Sequence, residues 1–214
     1  MSKQFWGAII VVLAILIGVF SLTHQKPVSS NTNSQPTQHI EGQGKKGVTL
    51  IEYGDYQCPY CEEYYSTVKQ VEQQNDQNIF FQFRNFPLTS IHQNAFAGAR
   101  AAEAAALQGK FWQMHDALYD VSIWQQWTVA ADPTAIFDQL AQQLGLNVTQ
   151  FKQDYGSDKV NSLINADMAA GNKLGINGTP SFFLDGKQIQ VANDPAAFQK
   201  LIDAEIANHS SSSH

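Results

Sequence analysis

The stretch GDYQCPYCEEYY, residues 54–65, contains both cysteines of this 214-residue chain, Cys58 and Cys61. The apolar run VTLIEYG, residues 48–54, leads into it and is typical of a buried strand. Pro59 fits the first turn of a helix, where its missing N–H group needs no partner. The sequence therefore predicts a buried strand followed by a helix that begins at or beside Cys58.

The two cysteines allow three interpretations. As a structural disulfide they would close so short a loop that the unfolded chain is restricted by only about 2 kcal/mol. A zinc site needs four ligands, and besides this pair the chain offers only scattered histidines such as His92 and His115. In a redox pair, the helix N-terminus activates the first thiol and the second lies one turn away. A C-x-x-C motif between a strand and a helix favours the redox pair.

The composition excludes one class of partner. The chain is 43% hydrophobic and 15% charged, which is ordinary for a globular protein. Its formal net charge is −6, so it lacks the basic surface that nucleic acid requires. We therefore expect no nucleic-acid partner, and a chain of this length can bury one core together with a helical insertion.

The N-terminal residues differ from the rest in hydropathy. Residues 5–22, FWGAIIVVLAILIGVFSL, carry no charged side chain. At about 1.5 Å per residue, a helix of this length nearly spans a hydrocarbon core of roughly 30 Å. Lys3 would keep the amino terminus cytoplasmic. We expect residues 1–22 to be a single-pass membrane anchor, with a cleaved signal peptide as the alternative. Either segment would place the remaining chain outside the cytoplasm.

A polar segment follows the apolar run. Residues 23–46 have Val28 and Ile40 as their only aliphatic side chains, too few to form a core. This composition predicts a flexible linker. Residues 47–209 are expected to form the folded domain, and residues 210–214, SSSSH, a disordered tail.

The downstream patterns extend the strand–helix unit. The run IFFQFRNF, residues 79–86, predicts a second strand, and a strand–helix–strand order suggests a parallel pair with a right-handed crossover. Residues 93–175 carry helical patterns throughout. The run PSFFLDGKQIQV, residues 180–191, predicts a hairpin around its central Asp-Gly pair. A last helix is expected over residues 194–208, because an Asp-Pro pair can cap its start.

Several motifs resemble one known family, the DsbA-like thiol:disulfide oxidoreductases. Within that family the sequence is most similar to the membrane-anchored group that includes the BdbD proteins of Gram-positive bacteria. The resemblance covers residues 48–207 and implies an α/β thioredoxin fold with an inserted all-helical subdomain. The thioredoxin core would comprise residues 47–90 and 176–208, and the insertion residues 91–175. The family's usual first strand would be either missing or built from HIEG, residues 39–42. The motifs that carry the resemblance are EYGDYQCPYC (52–61), RNFPL (84–88) with QNAF (93–96), GKFWQMHDALY (109–119) and GINGTPSFFLDG (175–186).

The resemblance implies roles for the two cysteines. Cys58 would be the nucleophile, exposed at the start of the helix. Cys61 would be the buried resolving thiol, and the pair would alternate between a dithiol and a redox-active Cys58–Cys61 disulfide. The intervening Pro59-Tyr60 dipeptide is shared with the glutaredoxins, which work as reductants, so it leaves the direction of the reaction open.

The same resemblance implies a substrate-binding loop. Pro180 would be a cis-proline opposite the dithiol, where Thr179, Pro180, Pro59 and Tyr60 would contact a substrate peptide. Cis X-Pro bonds are uncommon, and one retained beside a reactive site implies a geometric demand. From the residues alone, Pro180 could equally be an ordinary trans proline at the start of a strand.

Glu52 is the third candidate catalytic residue. It lies six residues before Cys58, where members of the resembled family carry a buried acid below the active site. A carboxyl in an apolar strand has a raised pKa and can exchange a proton with the second cysteine. The alternative is an edge-strand glutamate that points to water. Asp55 is expected to cap a loop, and His92 and His115 to serve helix ends or packing.

The sequence therefore predicts a membrane-tethered, extracytoplasmic thiol:disulfide oxidoreductase that needs no cofactor and no metal. Its expected partners are newly exported or unfolded cysteine-containing proteins, and a DsbB-like or VKOR-like membrane quinone reductase that reoxidises the pair. Two other functions stay open at this point. One is a disulfide reductase or isomerase, and the other is a redox-silent thioredoxin-like module that binds peptides.

Overall fold

The computed structural model describes residues 35–211. Within this range a long helical insertion interrupts a sheet-forming core between β3 and β4. The strands are β1 (His39–Glu41), β2 (Val48–Gly54), β3 (Ile79–Asn85), β4 (Ser181–Leu184) and β5 (Lys187–Ile189). The helices are α1 (Pro59–Asn75), α2 (Ala95–Ala106), α3 (Phe111–Tyr119), α4 (Val121–Trp127), α5 (Thr134–Gln143), α6 (Val148–Tyr155), α7 (Asp158–Lys173) and α8 (Pro195–Ser211).

The sheet has the order β1–β3–β2–β4–β5. β2 and β3 are parallel, as the strand–helix–strand order predicts, and the other neighbours are antiparallel. β2 is the central strand, which explains why its sequence is apolar at nearly every position. In this register Glu52 stands between Phe83 of β3 and Phe182 of β4. The candidate acid is therefore in the middle of the sheet, not on an edge strand.

Two large apolar cores hold the helices in place, and a smaller third cluster contains Tyr53, Phe86, Ile176 and Phe183. The first lies between the sheet and the pair α1 and α8, and it is built from Val48, Leu50, Val68, Val71, Ile79, Phe81, Phe182, Leu184, Phe198 and Ile202. The second fills the helical subdomain around α2, whose buried face is largely alanine, and small side chains permit close approach of the neighbouring helices. Cys58 and Cys61 belong to this second core, where the subdomain meets the sheet.

Residues 35–46 belong to the folded domain, so the predicted boundary of the flexible linker is wrong. β1 pairs with β3, and His39 Nε2 lies 2.8 Å from Glu103 Oε1. Thr37 donates hydrogen bonds of 2.7 Å from both its backbone N and its Oγ1 to the Asp167 carboxylate. The HIEG alternative for the first strand is therefore confirmed. The polar composition of the segment favoured a linker because its hydrogen-bond partners lie 64 and 130 positions along the chain.

Most of the remaining predicted elements are confirmed, with differences at their ends. The hairpin turns at Asp185 and Gly186, which have φ values of 47° and 78° as a tight turn of this kind requires. α4 lies within the range predicted to be helical, and Asp120 sets its start by accepting hydrogen bonds from the backbone N–H groups of Ser122 and Ile123. α8 runs to Ser211, so residues 210–211 are helical and do not belong to a disordered tail.

No helix within residues 35–211 is long and apolar enough to cross a membrane. The predicted anchor at residues 1–22 lies outside the described residues. The same holds for residues 23–34 of the predicted linker and for residues 212–214 of the predicted tail.

We predict that Asp167→Ala lowers the free energy of unfolding by about 3 kcal/mol, because two buried backbone N–H groups and one hydroxyl lose their acceptor. Urea denaturation monitored by fluorescence would measure the loss. Asp203→Ala is the matched control, since Asp203 is exposed and accepts a hydrogen bond from the Gln199 side chain of its own helix. Equal stabilities of the two variants would contradict the anchoring role of Asp167.

Candidate active site

The two cysteines stand at the start of α1, as the sequence predicts. Cys58 is the N-cap residue with extended backbone angles, and Pro59 occupies the beginning of the helix. Cys58 N donates to Asp55 O at 3.0 Å, and Cys58 O accepts from Glu62 N at 3.2 Å. Cys61 follows within the first turn, and both residues are free thiols. The cap geometry directs the unpaired N–H groups of the first turn towards the first sulfur.

Cys58 is less exposed than predicted. Only 3% of its surface is accessible, against 1% for Cys61, so the expectation of an exposed nucleophile is corrected. The physical reason is the Thr179–Pro180 loop, whose Thr179 carbonyl oxygen lies 3.3 Å from Cys58 Sγ and accepts the thiol hydrogen. A substrate must therefore approach Cys58 beside this loop.

The pKa values of the two thiols shift in opposite directions. The pKa of Cys58 is lowered to about 6, chiefly by its hydrogen bond with the Cys61 thiol and further by the backbone N–H groups of Cys61 and Tyr60, although burial opposes the shift. The pKa of Cys61 is raised well above its ordinary value, first by burial and then by the hydrogen bond with Cys58 and the charge of Glu52. One thiol is thus prepared to be a thiolate at neutral pH, and the other is kept protonated.

Glu52 is buried in the central strand, with 4% of its surface accessible. Burial raises its pKa to about 8, and the negative charge of Cys58 adds to the shift. Gly54 leaves room for this arrangement, because a Cβ atom there would lie 2.4 Å from the Phe83 ring and 3.2 Å from Glu52 Oε1. The raised pKa that the sequence predicts for Glu52 is confirmed in direction.

Three of the four predicted substrate-binding residues, Tyr60, Thr179 and Pro180, line one groove, and Pro59 does not. The Thr179–Pro180 peptide bond is cis. A groove next to it is lined by Tyr60, Tyr64, Thr179, Pro180, Ser181, Phe182, Gln188, Ile189, Gln190 and Val191. The Tyr60 side chain projects into solvent at this groove, with 65% of the residue exposed. Pro59 is not among the lining residues and serves the helix start instead.

Sequence reasoning missed the tyrosines that support the dithiol. Tyr119 donates from Oη to Asp55 O at 3.4 Å, and Tyr56 Oη lies 3.0 Å from His115 Nδ1. His115 is buried among aromatic rings, and this burial lowers its pKa well below the ordinary value. The expected packing role of His115 is therefore confirmed. The helical spacing of His115 and Tyr119 identifies their buried face, but no local pattern assigns their partners.

One group of side chains within residues 35–211 has the donor atoms for a metal ion. It comprises Asp185, Glu205 and His209, whose ligand atoms lie within 4.8 Å of one another. His209 Nε2 is 2.7 Å from Asp185 Oδ2, a distance suited to an ion pair that joins α8 to the hairpin. The three residues belong to the hairpin turn and α8, whereas the thiols are at the start of α1.

A family model described as thioredoxin matches residues 34–204. The chain belongs to the thioredoxin family. This family assignment agrees with the geometry, in which a C-x-x-C pair begins a helix after the central strand and faces a cis-proline loop.

Several solved structures share this fold. A thioredoxin-like oxidoreductase from Silicibacter pomeroyi is 27% identical, with a TM-score of 0.66 over 80% of this chain and 93% of that chain. BdbD from Bacillus subtilis is 22% identical with a TM-score of 0.67, covering 81% and 96% of the two chains. Wolbachia pipientis alpha-DsbA1 is 19% identical with a TM-score of 0.71, covering 84% and 96%. The predicted thioredoxin fold with DsbA-like resemblance and the predicted oxidoreductase class are confirmed, while the membrane-anchored detail stays a prediction.

Two similar curated proteins are much longer than this chain. The Na(+)/H(+) antiporter NhaA 1 of Mycolicibacterium gilvum and that of Mycolicibacterium vanbaalenii are each 32% identical over 168 residues. The match covers 78% of this chain and 26% of each antiporter. The chain thus spans about a quarter of the length of these relatives, and their name describes the whole proteins.

We predict that the alkylation rate of the reduced protein by iodoacetamide rises with pH around a midpoint of about 6, the pKa of Cys58. Peptide mapping by mass spectrometry should find the label on Cys58 and none on Cys61, whose buried thiol stays protonated. In Cys61→Ala the midpoint should move upward, because the hydrogen bond that lowers the pKa most is lost. A midpoint near the ordinary thiol value in the native protein would contradict this account.

We predict that Glu52→Gln stabilises the reduced protein increasingly as pH rises. A carboxyl whose folded pKa lies above its unfolded pKa costs no stability below about 4.5 and progressively more up to about 8. The native protein should therefore lose stability across this range relative to the variant, by about 2–4 kcal/mol between pH 5 and pH 8. Urea denaturation at the two pH values would measure the difference, and a gain independent of pH would refute the buried, protonated acid.

Proposed function

We propose that this protein is an extracytoplasmic thiol:disulfide oxidoreductase that introduces disulfide bonds into exported proteins through Cys58 and Cys61. The observation that carries the proposal is the opposite shift of two neighbouring thiols at one helix start. The pKa of Cys58 falls to about 6 while that of Cys61 rises. A structural disulfide does not require its two thiols to differ in pKa. An exchange reaction needs one thiol of low pKa that leaves readily and a second thiol that is shielded from solvent.

The geometry supports a two-step exchange. A substrate thiolate attacks Cys58 Sγ in the oxidised pair, so that a substrate–Cys58 bond forms and the Cys58–Cys61 bond breaks. Cys61 leaves with the electron pair. The Glu52 carboxyl, which is protonated below its pKa of about 8, donates a proton to the Cys61 thiolate. A second substrate thiolate then attacks the substrate sulfur and releases Cys58 as a thiolate. The substrate loses two electrons and the dithiol gains them.

The direction of the reaction follows from which form of the pair is stabilised. A thiolate at Cys58 stabilises the reduced form, and this makes the disulfide more oxidising. With a pKa of about 6, the stabilisation at pH 7 amounts to about 1.4 kcal/mol, or roughly 30 mV for a two-electron couple. A shift of the reduction potential in the oxidising direction favours an oxidase over a reductase or isomerase.

The proposed cellular setting rests on the sequence. The uncharged run at residues 5–22 supports a single-pass membrane anchor with the folded domain outside the cytoplasm. The substrates would be newly exported or unfolded proteins with cysteine pairs. Because each turnover leaves Cys58 and Cys61 reduced, a membrane quinone reductase of the DsbB or VKOR type would complete the cycle.

We predict different covalent adducts for the two serine variants in cells. Cys61→Ser lacks the resolving thiol and should accumulate mixed disulfides with exported proteins through Cys58. Cys58→Ser should form almost none, because the remaining thiol is buried and its pKa is raised. The measurement is the ladder of reductant-sensitive bands on a non-reducing gel. A stronger ladder from Cys58→Ser would reverse the two roles.

The absence of a ladder from both variants would instead favour the redox-silent peptide-binding module. The direction is tested separately by incubating the oxidised protein with a reduced, unfolded protein that has one cysteine pair. Transfer of the disulfide to that substrate is the expected outcome. An equilibrium in which the substrate stays reduced would make the protein a reductase or isomerase.

A further inference from the structure

Asp55 joins the central strand to the dithiol, and each of its backbone groups contacts the site. Its backbone N–H donates to Cys61 Sγ at 3.5 Å. Its carbonyl oxygen accepts from Cys58 N at 3.0 Å and from Tyr119 Oη at 3.4 Å. The backbone of Asp55 is therefore in contact with both cysteines, whereas its side chain is bonded to other residues.

The side chain of Asp55 is buried and collects three donors. Its Oδ1 accepts from Gln57 N at 2.8 Å. Its Oδ2 accepts from Leu88 N at 2.9 Å and lies 2.7 Å from His92 Nδ1. Leu88 and His92 belong to the loop between β3 and α2, so the carboxylate fastens the loop before α1 to a second loop. This exceeds the loop-capping role that the sequence predicts for Asp55.

We propose that Asp55 is a positioning residue for disulfide exchange, and that its carboxylate, held by His92 and Leu88, fixes the backbone N–H that donates to Cys61 Sγ. The inference rests on the proposed function, because it concerns the step in which Cys61 carries or receives charge.

The donated hydrogen bond matters because little else favours a thiolate at Cys61. Burial, the Cys58 hydrogen bond and the charge of Glu52 all raise the pKa of Cys61, and the Asp55 N–H acts in the opposite direction. A hydrogen bond to a charged acceptor is roughly twice as strong as one between neutral groups, and it weakens steeply when its geometry is lost. A small displacement of Asp55 would therefore weaken this hydrogen bond and slow mainly the reactions of Cys61.

The three donors explain why the residue is an acid. A carboxylate offers acceptors only, so it satisfies two backbone N–H groups and the imidazole N–H together. An asparagine amide would turn its NH₂ group towards at least one of these donors. The buried site excludes water that could relieve the mismatch, since Asp55 is 1% exposed. Asp55→Asn should thus loosen the loop without removing volume.

When glutathione disulfide oxidises the reduced protein, Cys58 and Cys61 react in two successive steps that can be measured separately. In the first step Cys58 thiolate attacks a glutathione sulfur, forms a mixed disulfide and releases one glutathione thiolate. In the second step Cys61 thiolate attacks Cys58 Sγ, forms the Cys58–Cys61 bond and releases the second glutathione. Acid quenching followed by mass spectrometry measures the two rates, because the mixed disulfide carries the mass of one glutathione.

We predict that Asp55→Asn slows the second step about tenfold and changes the first by less than about threefold, as expected for the loss of one hydrogen bond to a charged sulfur. The matched control is Asp132→Asn, because Asp132 also accepts from a backbone N–H but lies on the surface of the helical subdomain. The control should leave both rates unchanged.

Two substitutions of His92 keep the test decisive if Asp55→Asn fails to fold. His92→Leu removes the donor to the carboxylate and should slow the second step severalfold. His92→Asn can place an amide N–H near the former Nδ1 position and should restore the native rate. Equal rates for these two variants, equal slowing of both steps, or a faster second step in Asp55→Asn would each overturn the positioning role. If the native protein itself shows neither step, the proposed function fails instead.

Discussion

The hydrogen bonds that converge on Cys58 Sγ are the interaction on which the site depends. They come from the Cys61 thiol and from the backbone N–H groups of Cys61 and Tyr60. These donors exist because α1 begins at this point, and the first turn of any helix leaves its N–H groups without partners inside the helix. The start of α1 is set in turn by Cys58 as the N-cap and by Pro59, which cannot donate. The reactivity of one sulfur is thus a property of where a helix begins.

Burial raises the pKa values of the other two groups of the site, Cys61 and Glu52. Both side chains lie in the protein interior, where charge is poorly solvated. A buried acid with a raised pKa costs stability at neutral pH. The cost is understandable if Glu52 exchanges a proton with the departing thiolate.

The helical subdomain does more than cover the sheet. Its buried acids, Glu103 and Asp167, hold the chain segment that contains Thr37 and His39, and Asn85 at the end of β3 contacts both acids. The loops around the dithiol are tied in a similar way through Asp55. Buried polar groups of this kind specify one arrangement of neighbouring segments, because any other arrangement leaves donors or acceptors unpaired. The position of the thiols relative to the cis-proline loop depends on that arrangement.

The sequence by itself determined the features that arise from neighbouring residues. The strand before Cys58, the helix start at Pro59 and the Asp185–Gly186 hairpin follow from local patterns, because strand alternation, capping and turn geometry act over a few residues. The role of Glu52 as the buried acid is implied by the family resemblance. The tertiary structure alone decided the rest. The pairing of β1 with β3, the cover of Cys58 by the Thr179 carbonyl and the three donors at Asp55 join residues that are far apart in the chain. No local pattern encodes such contacts, since each exists only after the sheet and the helical subdomain have packed together.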